Sequence, residues 1–494
     1  MALGFYQGPL LTRFIMLYYE ERSMKKILLL ISILIIVLLV NGCTKPTGQT
    51  NPFTSANPVS SPVQQVLAKV GVSGNLADIG LPIYAHIMDG RGQEYVLAKT
   101  TPAELDKSGL KYTILDPDTR DISYAIALKH NAECKVPVDY CSLIILDDGK
   151  HLILRAPDGQ KKLIASADLD FNWLPDTPLI LIPRSSLKLG ARTGSSVTYD
   201  SHIGEMVSAV RQDTLSSLVG GLSGEQPLTV DGEKVTITSR ATESGEPIKK
   251  ATQYFGNYLA ARNLTIEYPQ WTSDDYSGTN VIGTKTGKTK PREVVLVTAH
   301  IDTEPAAGRS PGADDDASGV AAVMLIADLT SRQDFDRTIR FATFSGEEQG
   351  LLGSDAYARQ AAKNDETIVA VYNMDMISWN KNSNVAEIHT RIPSNPGYEG
   401  DMEIANVFTN VVSKYDLSGD ITPVVLSDGE ELSDQASFWE QGYPGIWALE
   451  DGNNDFNPHY HSPDDLHEKM NMKYYTAYVK ASTATVAHLA GISG

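Results

Sequence analysis

Residues 294–319 read VVLVTAHIDTEPAAGRSPGADDDASG and hold the first side chains in the chain whose types and spacing could do chemistry. The β-branched run Val294-Val295-Leu296-Val297-Thr298 predicts a buried strand that delivers His300 and Asp302 into a loop. That loop closes on Asp314, Asp315 and Asp316, after which Val320, Val323, Met324 and Ala327 recur at helical spacing. A histidine and aspartates between the carboxyl end of a strand and a helix N-terminus stand where open α/β sheets place their active sites. Side chains of these types so placed predict half of a metal site, with the other half downstream.

Three more strand-like runs end in the same kinds of group. Ile339-Arg340-Phe341-Ala342-Thr343-Phe344 leads to Glu347 and Glu348, Ile368-Val369-Ala370-Val371-Tyr372 to Asp375, and Gly445-Ile446-Trp447-Ala448-Leu449 through a polar loop to His459-Tyr460-His461. Singly, a His-x-Asp, an aspartate triplet or adjacent glutamates are more often solvated turns and faces. Together, each following a buried-looking strand of one domain, they predict convergence. Asp315, Glu347, Glu348 and Asp375 meeting in a partly desolvated cleft would repel strongly unless cations joined them.

The elements that must position them fill residues 202–494, where helix-like and strand-like segments alternate as in an α/β domain with a mostly parallel sheet. Residues 243–261 and 474–489 have helical patterning. Residues 64–195 read as a small α+β accessory domain or pro-domain: a strand at 94–100, a helix opened by the capping box Thr101-Pro102-Ala103-Glu104, a strand at 111–115, and a hairpin about Asp147-Asp148-Gly149. The chain has 494 residues, 42% of them hydrophobic, enough for more than one packed domain. Its net charge of -19 argues against nucleic acid or an anionic membrane surface as the main partner. Cys43, Cys134 and Cys141 are the only cysteines, too few for a cysteine-based zinc finger or disulfide framework; Cys134 and Cys141 could pair or remain two thiols.

The segments Ala299-His300-Ile301-Asp302, Gly312-Ala313-Asp314-Asp315-Asp316-Ala317-Ser318-Gly319, Gly346-Glu347-Glu348-Gln349-Gly350-Leu351, Asn373-Met374-Asp375-Met376 and Tyr460-His461-Ser462 resemble, in order and separation, the two-zinc aminopeptidases of the aminopeptidase Y and secreted bacterial leucyl aminopeptidase kind. Glutaminyl cyclases and glutamate carboxypeptidases share that superfamily. The resemblance covers about residue 202 to the C-terminus and implies a zinc-exopeptidase-like fold with two zinc ions per chain. It implies that Asp315 bridges both ions, that His300 and Asp375 complete one, and that Glu348 and His461 complete the other. Two divalent ions against three ligating carboxylates leave one positive charge, which a bridging hydroxide cancels. Glu347 is then the general base, and Asp302 hydrogen-bonds the far nitrogen of His300. The resemblance also implies a cis peptide between Asp315 and Asp316.

Several neighbours compete for roles. His459 is the alternative to His461, with the Tyr-His-Ser context favouring His461. Asp434 borders the pocket or is structural, and His389 reads as an ordinary strand residue. Gly308-Arg309-Ser310-Pro311-Gly312 fits the G-x-S-x-G pattern of serine hydrolases, but Pro311 has no N–H for an oxyanion hole and no strand precedes it. The expected activity is removal of N-terminal residues from peptides outside the cytoplasm. A glutaminyl cyclase or a carboxypeptidase using Arg309 or Arg391 remains open on the same scaffold, and a non-catalytic binding ectodomain is the reading of a different class.

Met24-Lys25-Lys26, an apolar run over 27–40 and Asn41-Gly42-Cys43 resemble a lipoprotein export signal, with Cys43 as the lipid-bearing residue. An ordinary signal peptide or a membrane anchor is the other reading, and translation could begin at Met24. Residues 44–63, rich in Pro, Ser, Thr, Gly and Asn, read as a flexible linker.

Overall fold

A computed structural model of the chain describes residues 64–129, 141–157, 160–165, 169–184, 197–273, 275–304 and 309–492. The export segment with Cys43, the linker 44–63, Cys134 with its pairing to Cys141, and Gly308 lie outside the described residues.

The sheet that carries the chemistry has eight strands, in the spatial order Thr265–Glu267, Val281–Lys285, Arg337–Phe344, Lys290–His300, Thr367–Met374, Gly445–Leu449, Val385–His389 and Thr422–Leu426. Its four central strands run parallel, and antiparallel pairings flank them on both sides. The central strands are continuous apolar runs because they are covered on both faces. Alternation then divides them. Val295, Val297 and Ala299 point into the main core with helices Glu246–Ala260, Ala317–Ser331, Tyr398–Lys414 and Met472–Ala490. Val294 and Leu296 point to the opposite core, against helices Leu352–Lys363 and Gln435–Glu440.

From Lys290–His300 the chain winds through helix Ala317–Ser331 to the neighbour on one side, then through Leu352–Lys363 to the neighbour on the other. His300 therefore ends the strand at which the winding reverses, the crevice where α/β sheets bind ligands.

The preceding region is two antiparallel four-stranded sheets with short helices. One sheet runs Ile83–Met88, Glu94–Thr100, Val66–Gly71, Tyr112–Asp116; the other runs Ile144–Asp147, His151–Pro157, Ile122–Leu128, Phe171–Trp173. Leu67, Tyr84, Tyr95 and Leu97 of the first bury against Tyr124, Ile126 and Ile153 of the second, so the sheets pack face to face. Thr101 caps helix Pro102–Ser108 with both hydrogen bonds of the capping box. This region and the α/β domain fall within one compact unit, Val63–Gly494.

Candidate metal centre

Two triads overlap at the carboxyl ends of the central strands: His300, Asp315 and Asp375, and Asp315, Glu348 and His461. His300 Nε2 lies 3.1 Å from Asp315 Oδ1 and 3.3 Å from Asp375 Oδ1. His461 Nε2 lies 3.4 Å from Asp315 Oδ2 and 3.0 Å from Glu348 Oε2. Donors bound tetrahedrally to one zinc at about 2.0–2.1 Å stand about 3.3 Å apart. The histidine-to-carboxylate distances of both triads have that spacing, all three donors of each lie within 4.8 Å of one another, and the two oxygens of Asp315 face one histidine each. Glu348 Oε1 is buried with no hydrogen-bond partner, so a donor atom in the cluster still lacks what it is built to hold. The residues fit a pair of zinc-type ions.

The aspartate triplet divides its labour. Asp314 turns inward and accepts from the backbone N–H and hydroxyl of Ser378 and from Asn457 Nδ2. Asp315 faces the cluster. Asp316 caps helix Ala317–Ser331 through Gly319 N (2.8 Å) and accepts from His300 N (3.2 Å), tying strand end to helix start. The Asp315–Asp316 peptide is cis. Asp465 accepts from the N–H groups of Asp314 and Asp315, and Ser433 donates to Asp375 Oδ2 at 2.6 Å. Buried Arg240 donates to the carbonyls of Ile301, Pro311, Gly312 and Leu222, fixing the loop around the site.

Asp302 departs from expectation. Its Oδ1 is the ion-pair neighbour of His300 Nδ1 at 3.8 Å, beyond hydrogen-bond reach, and Nδ1 has no hydrogen-bond partner. Asp302 instead accepts from Thr242 Oγ1 (2.9 Å) and from the backbone N–H groups of Glu347 (3.3 Å) and Glu348 (3.4 Å). It anchors the glutamate loop, because that loop folds back over the strand end and brings two donors nearer than the imidazole. His459 packs edge-on against Trp379, and it is His461 that joins the second triad. Ser310 Oγ is 2.6 Å from Thr303 Oγ1, engaged in its own loop.

Electrostatics describe a cluster short of positive charge. Burial and the neighbouring Asp315 push Glu348 up to about 7. Burial, offset in part by His300, leaves Glu347 well above the usual carboxylate range. Burial would lower His300, but Asp375 and Glu347 outweigh it and hold the imidazole well above its ordinary value. In such a cluster protons do what divalent cations would do better.

The centre opens into a cavity of about 130 Å³. Met376, Leu432, Trp447, Leu449, Phe456 and Tyr460 make an apolar wall. Leu128, Lys150 and Asp170, from the amino-terminal sheets, supply another. His389 lines it too, which corrects the strand-residue reading: its Nδ1 is 3.0 Å from Asp428, its Nε2 is 3.4 Å from Glu387, and its ring stacks on Trp447. No pattern in the sequence flags Lys150 or Asp170, since they arrive from a different sheet, whereas His389 closes strand Val385–His389, the kind of position that flagged His300. Tyr460 could have been found, standing inside the Tyr-His-Ser motif.

A mostly parallel α/β sheet bearing overlapping His/carboxylate triads at its strand ends defines a zinc-exopeptidase-like hydrolase. Residues 280–486 match peptidase family M28. The probable leucine aminopeptidase of Trichophyton verrucosum is 25% identical over 296 residues, which are 57% of this chain and 76% of that one. Leucine aminopeptidase 1 of Metarhizium robertsii is 24% identical over 384 residues, 72% of this chain and 93% of that one. The fold is shared with the LapA aminopeptidase of Legionella pneumophila, at a TM-score of 0.55 and 17% identity over 75% of this chain and 99% of that chain. Residues 280–486 thus carry a peptidase family M28 domain, and the protein is a metallopeptidase.

Proposed function

We propose that the protein is an extracytoplasmic aminopeptidase that holds two zinc ions and removes single residues from the N-termini of peptides. The observation that carries this reading is Asp315, whose two carboxylate oxygens each face a separate histidine–carboxylate pair, with Glu347 beside them in the cavity. His300, Asp315 and Asp375 would hold one ion, and Asp315, Glu348 and His461 the other. Ions so held would supply a Lewis acid for a peptide carbonyl and would lower the pKa of water. Glu347 ligates neither and lines the same cavity, so it receives the water's proton and returns it to the leaving amine. Asp302 holds both glutamate N–H groups and so sets where Glu347 points.

The cavity favours an amino over a carboxyl terminus. Outside the triads and Glu347 it is lined by four carboxylates, Asp170, Glu387, Asp428 and Glu430, against two cations, Lys150 and His389. Both cations face acids of this chain, Lys150 on Glu430 and His389 on Asp428. Arg309 and Arg391, candidate carboxylate binders by sequence, are outside the lining; Arg391 is a buried bidentate partner of Asp401. Export rests on the basic-then-apolar segment ending at Cys43, which supports a lipid-anchored or secreted protein.

The test is hydrolysis of unblocked aminoacyl chromogenic substrates against their N-acetylated counterparts, before chelation, after it, and after zinc is returned. Cleavage of the unblocked series alone, lost and then restored, is expected. Equal cleavage of the blocked series, or indifference to chelation, would overturn the reading. A glutaminyl cyclase would show one ion by metal analysis and no hydrolysis.

A further inference from the structure

Among the contacts that the amino-terminal sheets make around the centre, those of residues 170–173 bear on one of its two halves. Strand Phe171–Trp173 is an edge strand, paired with Ile122–Leu128, and Asp170 precedes it with its carbonyl accepting from Leu128 N at 2.8 Å. The Tyr460 hydroxyl donates to Asp170 Oδ1. The Tyr460 ring in turn stacks on the imidazole of His461, centroids 3.7 Å apart and planes within 21°. Three residues along, Trp173 Nε1 donates to the carbonyl of Gln349, next to Glu348, at 3.0 Å. Gly350, at φ +92°, lets both aromatic rings settle on that loop. A Cβ there would stand 2.5 Å from Trp173 Cδ1 and 2.9 Å from Phe171 Cε2.

Residues 170–173 thus grip the neighbours of Glu348 and of His461, the two donors that belong to the second triad alone. The donors that belong to the first triad alone are held from within the α/β domain: His300 by Asp316, and Asp375 by Ser433.

We propose that Asp170 and Trp173 are positioning residues for the second metal ion only, so that the amino-terminal region sets how tightly that ion is kept while leaving the first untouched. The inference rests on the two-ion reading above. Groups that orient metal donors commonly account for about 10–100-fold in affinity.

The test is a metal titration of the chelated full-length protein against a coloured competitor, which separates two binding steps without using activity. Asp170→Ala and Trp173→Leu should each weaken the second step by about 10–100-fold and leave the first unchanged. Asp170→Asn, whose amide oxygen still accepts from Tyr460, should recover most of the loss. Tyr460→Phe keeps the stacked ring and removes only the hydroxyl, so it reports even where Asp170→Ala fails to fold. Arg184→Ala cuts a different contact between the same two regions, to the Gln441 carbonyl, and should move neither step. Both steps shifting together, or neither shifting, would overturn the inference while the two-ion reading stands. A native protein that takes up fewer than two ions would overturn both.

Discussion

A carboxylate that takes a proton from water must be poised to give it back, and burial is the means by which Glu347 is poised. Desolvation leaves it well above the ordinary carboxylate range, against the lowering influence of His300. Glu347→Gln keeps the size and removes the proton acceptor. Metal content measured by atomic emission should stay native, while kcat falls by about two to four orders of magnitude. At this scale the sequence was legible wherever a donor follows a strand: His300, Asp315, Glu348, Asp375 and His461 all converge as their motifs implied. It was illegible where a side chain's partner is chosen by how a loop folds back. Asp302 sits two residues from His300 yet spends its oxygens on Glu347 and Glu348, and nothing local announces that.

Strands and helices were read with little error where both faces of a strand are buried, because hydrophobic runs then have sharp ends. The apolar run at Gly445–Leu449 is the strand itself, and the 474–489 pattern lies inside helix Met472–Ala490. Sheet order was not legible: Arg337–Phe344 and Thr367–Met374 flank Lys290–His300 through long-range pairing that no local signal encodes. Two loops between these elements can be tested. Arg240→Met would leave the carbonyls of Ile301, Pro311, Gly312 and Leu222 unpaired in the interior, at a cost of about 3–5 kcal/mol in urea unfolding. Gly350→Ala forces a side chain into left-handed backbone and against Trp173, and should cost about 1–3 kcal/mol by the same measurement.

Across the whole molecule, the two regions are joined by ion pairs that titrate. Lys150 and His151, on the hairpin of the second amino-terminal sheet, both face Glu430 of the α/β domain, with His151 Nε2 at 3.5 Å. Burial would lower His151, yet Asp148 and Glu430 outweigh it and raise the imidazole to about 9. Because the folded value lies above the unfolded one, His151⁺ stabilises the fold fully below about pH 6.5. That contribution is lost as pH rises through about 9. Thermal melting from pH 6 to 9.5 should show the native protein losing stability across that window. His151→Gln should start lower and lose less. The hairpin was legible from Asp147-Asp148-Gly149, but its seat against Glu430, 280 residues away, was not.

The centre draws donors from residue 300 to residue 461, and its cavity wall begins at residue 128. A ribosome must therefore carry synthesis past residue 461 before the last imidazole of the centre can join the others. Until then the growing chain holds the second triad only in part.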